Sequence, residues 1–164
     1  EIEAVTGVQT CALPILAYDR RRLDKVASVA VFEEHPIGVE VDSVPSFYLT
    51  SVFNGMLARQ THHYPGVPQA FAAMKAGEVD AVMAMRGEID WQVHEAHDPQ
   101  LALAQNAYPS MGRQRWEIGM AVHESNRQLA YAVEEALEGL IRDGSLQTIY
   151  SHYGLQYEVP EMYQ

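Results

Sequence analysis

The stretch from Pro36 to Met85, PIGVEVDSVPSFYLTSVFNGMLARQTHHYPGVPQAFAAMKAGEVDAVMAM, restricts the possible folds more than any other part of the sequence. Ile37, Val39 and Val41 make a short apolar run that stops at Asp42-Ser43. Pro45 then stands where a helix begins, because proline's missing N–H is harmless in a first turn. The three- and four-residue intervals between Phe47, Tyr48, Leu49, Val52, Phe53, Met56 and Leu57 predict that this helix continues with one apolar face. Gln60 to Tyr64 reads as a second strand, Val67 to Ala76 as a second helix closed by Gly77, and Asp80 to Met85 as a third strand. The order is β-α-β-α-β. It implies a mostly parallel sheet flanked by helices, with ligands at the carboxyl ends of the strands.

The rest of the chain adds fewer constraints. A length of 164 residues, 48% hydrophobic and 20% charged, is enough for an ordinary globular core. A formal net charge of −11 argues against a nucleic-acid or anionic-membrane surface, and the one basic cluster, Arg20-Arg21-Arg22, is too short to reverse it. No run approaches the roughly 20 apolar residues of a membrane span, so direct membrane insertion is not expected. Between Leu16 and Glu34, Asp19 to Lys25 is charged and Val26 to Phe32 has strand-like composition. After Met85, Arg86-Gly87-Glu88 reads as a polar turn, Ile89 to Ala96 as a short helix, and Leu101 to Ala107 as a fourth strand. Tyr108 to Arg115 has no periodicity, and Ile118 to Val122 is a further strand. Ser125 and Gln128 have capping-box spacing ahead of a stripe of Leu129, Val133, Ala136, Leu137, Leu140 and Ile141. Gly144 ends that helix, and Ser145 opens a shorter one with Leu146, Ile149, Tyr150 and Tyr153 along one side.

The IGV strand with its polar turn, the later AMKAGEVDAV run, the WEIGMAVH strand and the ALEGLIRDGSLQTIYSHYG helices occur in an order that carries a resemblance. Over roughly Val31 to Gly154 the chain resembles the type II periplasmic solute-binding proteins, in particular the family 3 group of amino-acid receptors of ABC transporters. The resemblance implies an α/β fold in which residues 34–107 form the second lobe, residues 16–33 a linker or remnant of the first lobe, and residues 108–164 the hinge crossing and the helices that return to the first lobe. It implies a periplasmic protein that captures a small-molecule ligand between two lobes and delivers it to a membrane permease, with no cofactor and no reaction. Val5 to Ile15, VTGVQTCALPI, resembles the conceptual translation of a sequencing-library adapter. That implies a non-native leader over residues 1–15 on a truncated parent whose signal sequence is missing, and it sets Cys11, the only cysteine, outside the native part.

Candidate ligand contacts follow from the same resemblance. Ser43 matches the hydroxyl of the family's small turn that binds a ligand carboxylate, whereas Asp42 departs from the usual glycine and would repel such a group. N-capping by Asp42 or Ser43 accounts for the same residues and is compatible with ligand contact. Where amino-acid receptors place an aspartate opposite the ligand ammonium, this chain has Met85, followed by Arg86. A buried ammonium without a counter-charge is costly, so a standard α-amino acid is disfavoured, and Arg86 is either a bidentate partner for an anionic group or a solvated turn residue. Tyr108, at the start of the crossing, is the remaining candidate contact, while Arg113, Arg115 and Trp116 either touch ligand or brace the hinge.

The seven histidines do not fall into a recognisable metal pattern. His62 and His63 are adjacent and point to opposite faces of a strand, and His94 and His97 have no carboxylate or cysteine completing their spacing. No GxSxG, P-loop or HExxH is present, and Glu88 and Asp90 are two apart, so on a helix they diverge. The reading is a binding protein rather than an enzyme. The YG…Y…P ending also brings the chain near relatives associated with periplasmic quinoprotein alcohol dehydrogenases. A sensory or enzymatic domain on the same fold is the other alternative.

Overall fold

A computed structural model describes residues 2–8, 14–104, 108, 109, 111, 118–159 and 163. The chain divides into two compact units, one of Glu1–Ala12 with Arg115–Gln164 and one of Leu13–Gln114. Strand β1 (Ile2–Val8) belongs to the first unit. The larger unit then runs β2 (Pro14–Asp19), β3 (Ile37–Glu40), α1 (Val44–Gly55), β4 (Thr61–Tyr64), α2 (Val67–Ala76), β5 (Ala81–Met85), α3 (Arg86–Ala96) and β6 (Leu101–Ala104).

Its five strands lie in the order β4-β3-β5-β2-β6. β3 pairs in parallel with β4, from Ile37 beside Thr61 to Glu40 beside Tyr64, and in parallel with β5 on its other side. β2 runs antiparallel to both β5 and β6, so β2 alone opposes the other four. The sheet is mostly parallel and flanked by helices, as its sequence pattern implies. Pro14 opens β2, a position where no ladder N–H is required. Pro14 and Ile15, which the adapter resemblance sets in a leader, are thus the first residues of a central strand whose six residues are all buried.

That strand shows how the core is divided. Leu16 and Tyr18 belong to an apolar cluster with Val29, Phe32, Val39, Leu49 and Met83, whereas Ile15 and Ala17 belong to another with Phe71, Met74, Val82 and Ile89. Successive strand side chains point to opposite faces, so both faces of the sheet are covered, as buried parallel sheets require. α1 lies over the first face, and α2 and α3 cover the second. Burying a side chain such as Phe32 or Phe71 completely contributes about 1.5–3 kcal/mol.

Three local readings are corrected. Val26 to Phe32 is not a strand: Val29–Glu33 forms a 3-10 helix, opened by the Ser28 hydroxyl accepting the Ala30 N–H at 3.2 Å, with Val29 and Phe32 buried one turn apart. α1 does not run on smoothly through Leu57, because Val52, Phe53 and Asn54 leave helical geometry. Thr50 and Ser51 bond back to the carbonyls of Ser46 and Phe47 at 2.8 and 2.7 Å, a habit that bends helices, and Phe53, Asn54 and Gly55 then all take left-handed φ. Arg86-Gly87-Glu88 is not a turn between elements but the first turn of α3 itself, which follows β5 without a loop.

In the smaller unit β7 (Ile118–His123) pairs antiparallel with β1, Ile2 beside His123 and Val5 beside Met120. α4 (Arg127–Arg142) packs on β1, and α5 (Ser145–His152) packs on α4. The expected capping box does not form. Asn126 occupies the N-cap without a side-chain bond, and Ser125 instead hydrogen-bonds His123 Nδ1 at 2.9 Å within a short 3-10 turn, Glu124–Asn126. The apolar stripe of α4 is divided: Leu137 is buried while Leu129 is 54% exposed.

Candidate functional site

β3, β4 and β5 are neighbouring parallel strands, so their carboxyl ends emerge side by side and each feeds a helix: α1, α2 and α3. The β3–α1 connection is three residues long. Val41 N–H donates to Tyr64 O at 2.9 Å, tying the turn to the end of β4. Asp42 takes a left-handed φ of 56° with its side chain exposed, a conformation that aspartate tolerates better than most residues. Ser43 is the N-cap: its Oγ accepts the Ser46 N–H at 3.2 Å and donates to Glu40 O at 2.7 Å. Both partners of the Ser43 hydroxyl are therefore local.

At the end of β5, Met85 holds the N-cap position of α3 but has no side-chain bond to offer. Glu88 lies three residues on, in the first turn of α3. Desolvation pushes the Glu88 carboxyl above its ordinary value, and the negative charge of Glu40 raises it further. The two carboxylates thus sense each other across the ends of adjacent strands, β3 and β5. Arg86 points elsewhere: its Nε bonds Asp90 Oδ2 at 3.1 Å, with both side chains largely buried. Glu88 and Asp90 diverge as their spacing implies, one toward Glu40 and one toward Arg86.

Of the five residues singled out from sequence, Asp42 and Ser43 lie at the β3 end and Met85 beside them at the β5 end. Arg86 is committed to Asp90. Tyr108 is buried in the apolar cluster, edge-on to Tyr48 with ring centroids 5.8 Å apart. Arg113, Arg115 and Trp116 lie outside the described residues. Sequence reasoning missed Glu40 and Glu88, although a glutamate three residues beyond a strand end is a capping signal. It also missed that Val41 in the turn and Val44 and Phe47 in the first turns of α1 are 47%, 45% and 62% exposed. Val44 and Phe47 are one helical turn apart and share a side of α1. The surface offers carboxylates, backbone groups and an apolar patch, a combination suited to holding an organic cation.

Among the described residues no three His, Cys, Asp or Glu side chains gather in a way that would hold a metal ion. His63 hydrogen-bonds Ser46 Oγ at 3.0 Å, and the His94 and His97 rings lie 5.7 Å apart. Among the same residues no helix is long and apolar enough to cross a membrane.

No protein-family model matches the chain, and no curated protein sequence matches it. Solved structures do. An ancestral cationic amino acid solute-binding protein superposes with a TM-score of 0.74 at 12% identity, covering 93% of this chain and 62% of that one. An amino acid ABC transporter substrate-binding protein from Streptococcus pneumoniae bound to L-arginine gives 0.71 at 18% identity, over 93% and 61%. An ancestral arginine-binding protein bound to glutamine gives 0.65 at 18% identity, over 93% and 63%. At such identities the likeness concerns the fold, and the chain spans less than two thirds of the length of these proteins. The chain therefore has the mixed α/β fold of amino acid ABC transporter substrate-binding proteins, over the part of their length that it spans.

Proposed function

We propose that Leu13–Gln114 is the ligand-contacting lobe of an extracytoplasmic, periplasmic solute-binding protein that passes a small polar solute to the permease of an ABC-type transporter. The observation that carries this reading is the convergence of the Asp42-Ser43 turn with Met85 and Glu88 at adjacent carboxyl strand ends, where open α/β sheets take their ligands. Binding is noncovalent and no chemical step occurs. The solute carries a positive charge. Glu88 and Glu40 supply the counter-charge that Met85 does not, and Asp42 repels anions. The three structural neighbours described above bear names that mention arginine or cationic amino acids, which supports the sign of the charge.

Calorimetric titration with a panel of cationic, zwitterionic, neutral and anionic solutes up to millimolar concentration tests the reading. At least one cationic solute is expected to give saturable binding that Asp42→Asn weakens, with organic anions giving none. Saturable binding of anions alone, or of nothing in the panel, would contradict it.

A further inference from the structure

The far end of α3 carries a group of rings that the solute-binding reading does not use. Val93 and Ala96 pack against the apolar cluster on the second face of the sheet. Trp91, His94 and His97 follow one another at three-residue intervals along α3 and its C-cap, a spacing that keeps neighbouring side chains on one side of a helix. The Trp91 and His94 rings lie 6.3 Å apart between centroids, and the His94 and His97 rings 5.7 Å apart. Both histidines are exposed.

The His97 ring is held in one protonation pattern. His97 takes the C-cap of α3 with a left-handed φ of 47°, a region in which histidine is enriched among non-glycine residues. Its Nδ1 lies 3.0 Å from the Glu95 carbonyl oxygen. A carbonyl only accepts, so Nδ1 carries the proton and donates it, which leaves Nε2 with its lone pair. An imidazole that donates one ring N–H to a backbone carbonyl and keeps the other nitrogen basic is arranged as metal-ligating histidines are. Among the described residues no hydrogen bond engages the His94 ring. Glu95 stands between the two histidines in sequence with its side chain exposed, while the Asp98 carboxylate is already taken by Arg21 and the Gln100 N–H.

We propose that His94 and His97 form a two-histidine chelate for a borderline divalent transition-metal ion, the class of Cu²⁺, Ni²⁺ and Zn²⁺, bound through His97 Nε2 and a ring nitrogen of His94. Two imidazoles on one such ion, at metal–nitrogen lengths of about 2.0–2.1 Å, hold their centroids about 5 Å apart, so a small side-chain rotation closes the observed spacing. No third His, Cys, Asp or Glu completes the set among the described residues, and water takes the remaining positions. Imidazole donors select transition metals over Mg²⁺ and Ca²⁺, which take oxygen ligands. The site is separate from the strand ends, where α3 starts at Arg86, and does not depend on the solute-binding reading.

Amide-detected NMR of the isotope-labelled chain in a non-chelating buffer tests this with the metals alone. Substoichiometric Cu²⁺, being paramagnetic, is expected to broaden first the resonances of residues 91–98, the Trp91 indole N–H among them. Zn²⁺ is expected to give saturable shifts over the same residues and to be displaced by Cu²⁺, with Mg²⁺ giving none. His94→Ala and His97→Asn, the latter keeping a residue that tolerates left-handed φ, are each expected to weaken Zn²⁺ binding by about tenfold or more with the spectrum elsewhere unchanged. The double variant His62→Asn with His63→Asn is expected to bind as the parent does. Broadening centred on other histidines, an affinity unchanged by either His94→Ala or His97→Asn, or no saturable shift at millimolar Zn²⁺ would overturn the inference.

Discussion

Two buried groups show how individual residues set stability. The Tyr48 hydroxyl is buried without a hydrogen-bond partner among the described residues, and burial pushes its pKa up to about 12. An unpaired buried polar group costs about 1–3 kcal/mol, so Tyr48→Phe is expected to leave urea stability unchanged or raise it by about 1 kcal/mol, whereas loss of the ring should lower it. Because the folded pKa is raised, the native phenol helps below the ordinary tyrosine value and that help is lost as pH climbs through about 12. Asp19 is the opposite case. Its carboxylate is held below its ordinary value, first by the Arg21 side-chain hydrogen bond at 2.7 Å and then by the Arg21 backbone N–H. Arg21 in turn reaches Asp98 at 2.9 Å, joining the end of β2 to the α3–β6 connection. A depressed pKa gives stability above the ordinary carboxylate value that disappears in acid. Asp19→Asn should therefore lose roughly 1 kcal/mol at neutral pH, solvent screening at the exposed Arg21 limiting the loss, and denaturant midpoints of the two proteins should converge as pH falls below about 4. Glu88, raised by desolvation and Glu40, has the reverse sign: Glu88→Gln should be more stable than the parent at neutral pH, with the advantage gone in acid.

At the scale of elements, the βαβ stretch was legible because its signals are local and agree with one another. Val67–Ala76 has Pro68 in its first turn and Gly77 as a left-handed C-cap, its N–H bonded to Ala73 O and Met74 O, and its bounds follow directly from the sequence. Gly77 is also closed from outside, since an added Cβ would run into the Arg22 guanidinium, which itself reaches Asp80 at 3.5 Å. Gly77→Ala should thus cost more than the ~1 kcal/mol of left-handed strain, and more than Gly144→Ala, where φ is also positive but the space is open. Thermal denaturation of the two variants checks the ordering. What was not legible has physical reasons. β2 lies between β5 and β6 and takes its direction from partners more than sixty positions away, so no local pattern announces it. The break in α1 depends on Thr50 and Ser51 bonding backward, which periodicity does not register. At the candidate site, the position of Asp42, Ser43 and Met85 at strand ends was legible from the local pattern, whereas that of Glu88 required knowing that α3 starts without a loop. Tyr108 was read as a candidate contact because it stands at the start of the crossing, and its ring packs against Tyr48.

Over the whole molecule, the apolar clusters of the described residues fall within Leu13–Gln114, and among the described residues the smaller unit buries few large side chains, Leu137 and Leu146 among them. Residues 13–114 alone are therefore expected to fold cooperatively, with their strand amides exchanging more slowly than those of β7 and α4 in the intact chain. Comparable protection in both units, or collapse of the isolated larger unit, would contradict this distribution of the core. The solute-binding reading places the ligand on one end of the larger sheet, the end where β3 and β5 finish, rather than on the opposite end where His35 meets Asp80 at 2.8 Å. The most direct measurement is amide hydrogen exchange of the chain with and without a saturating concentration of the tightest cation found by calorimetry. Slowed exchange confined to Val41–Tyr48 and Met85–Ile89 is the predicted result. Protection at the His35–Asp80 end or along α4 and α5, with the strand ends unchanged, would contradict it.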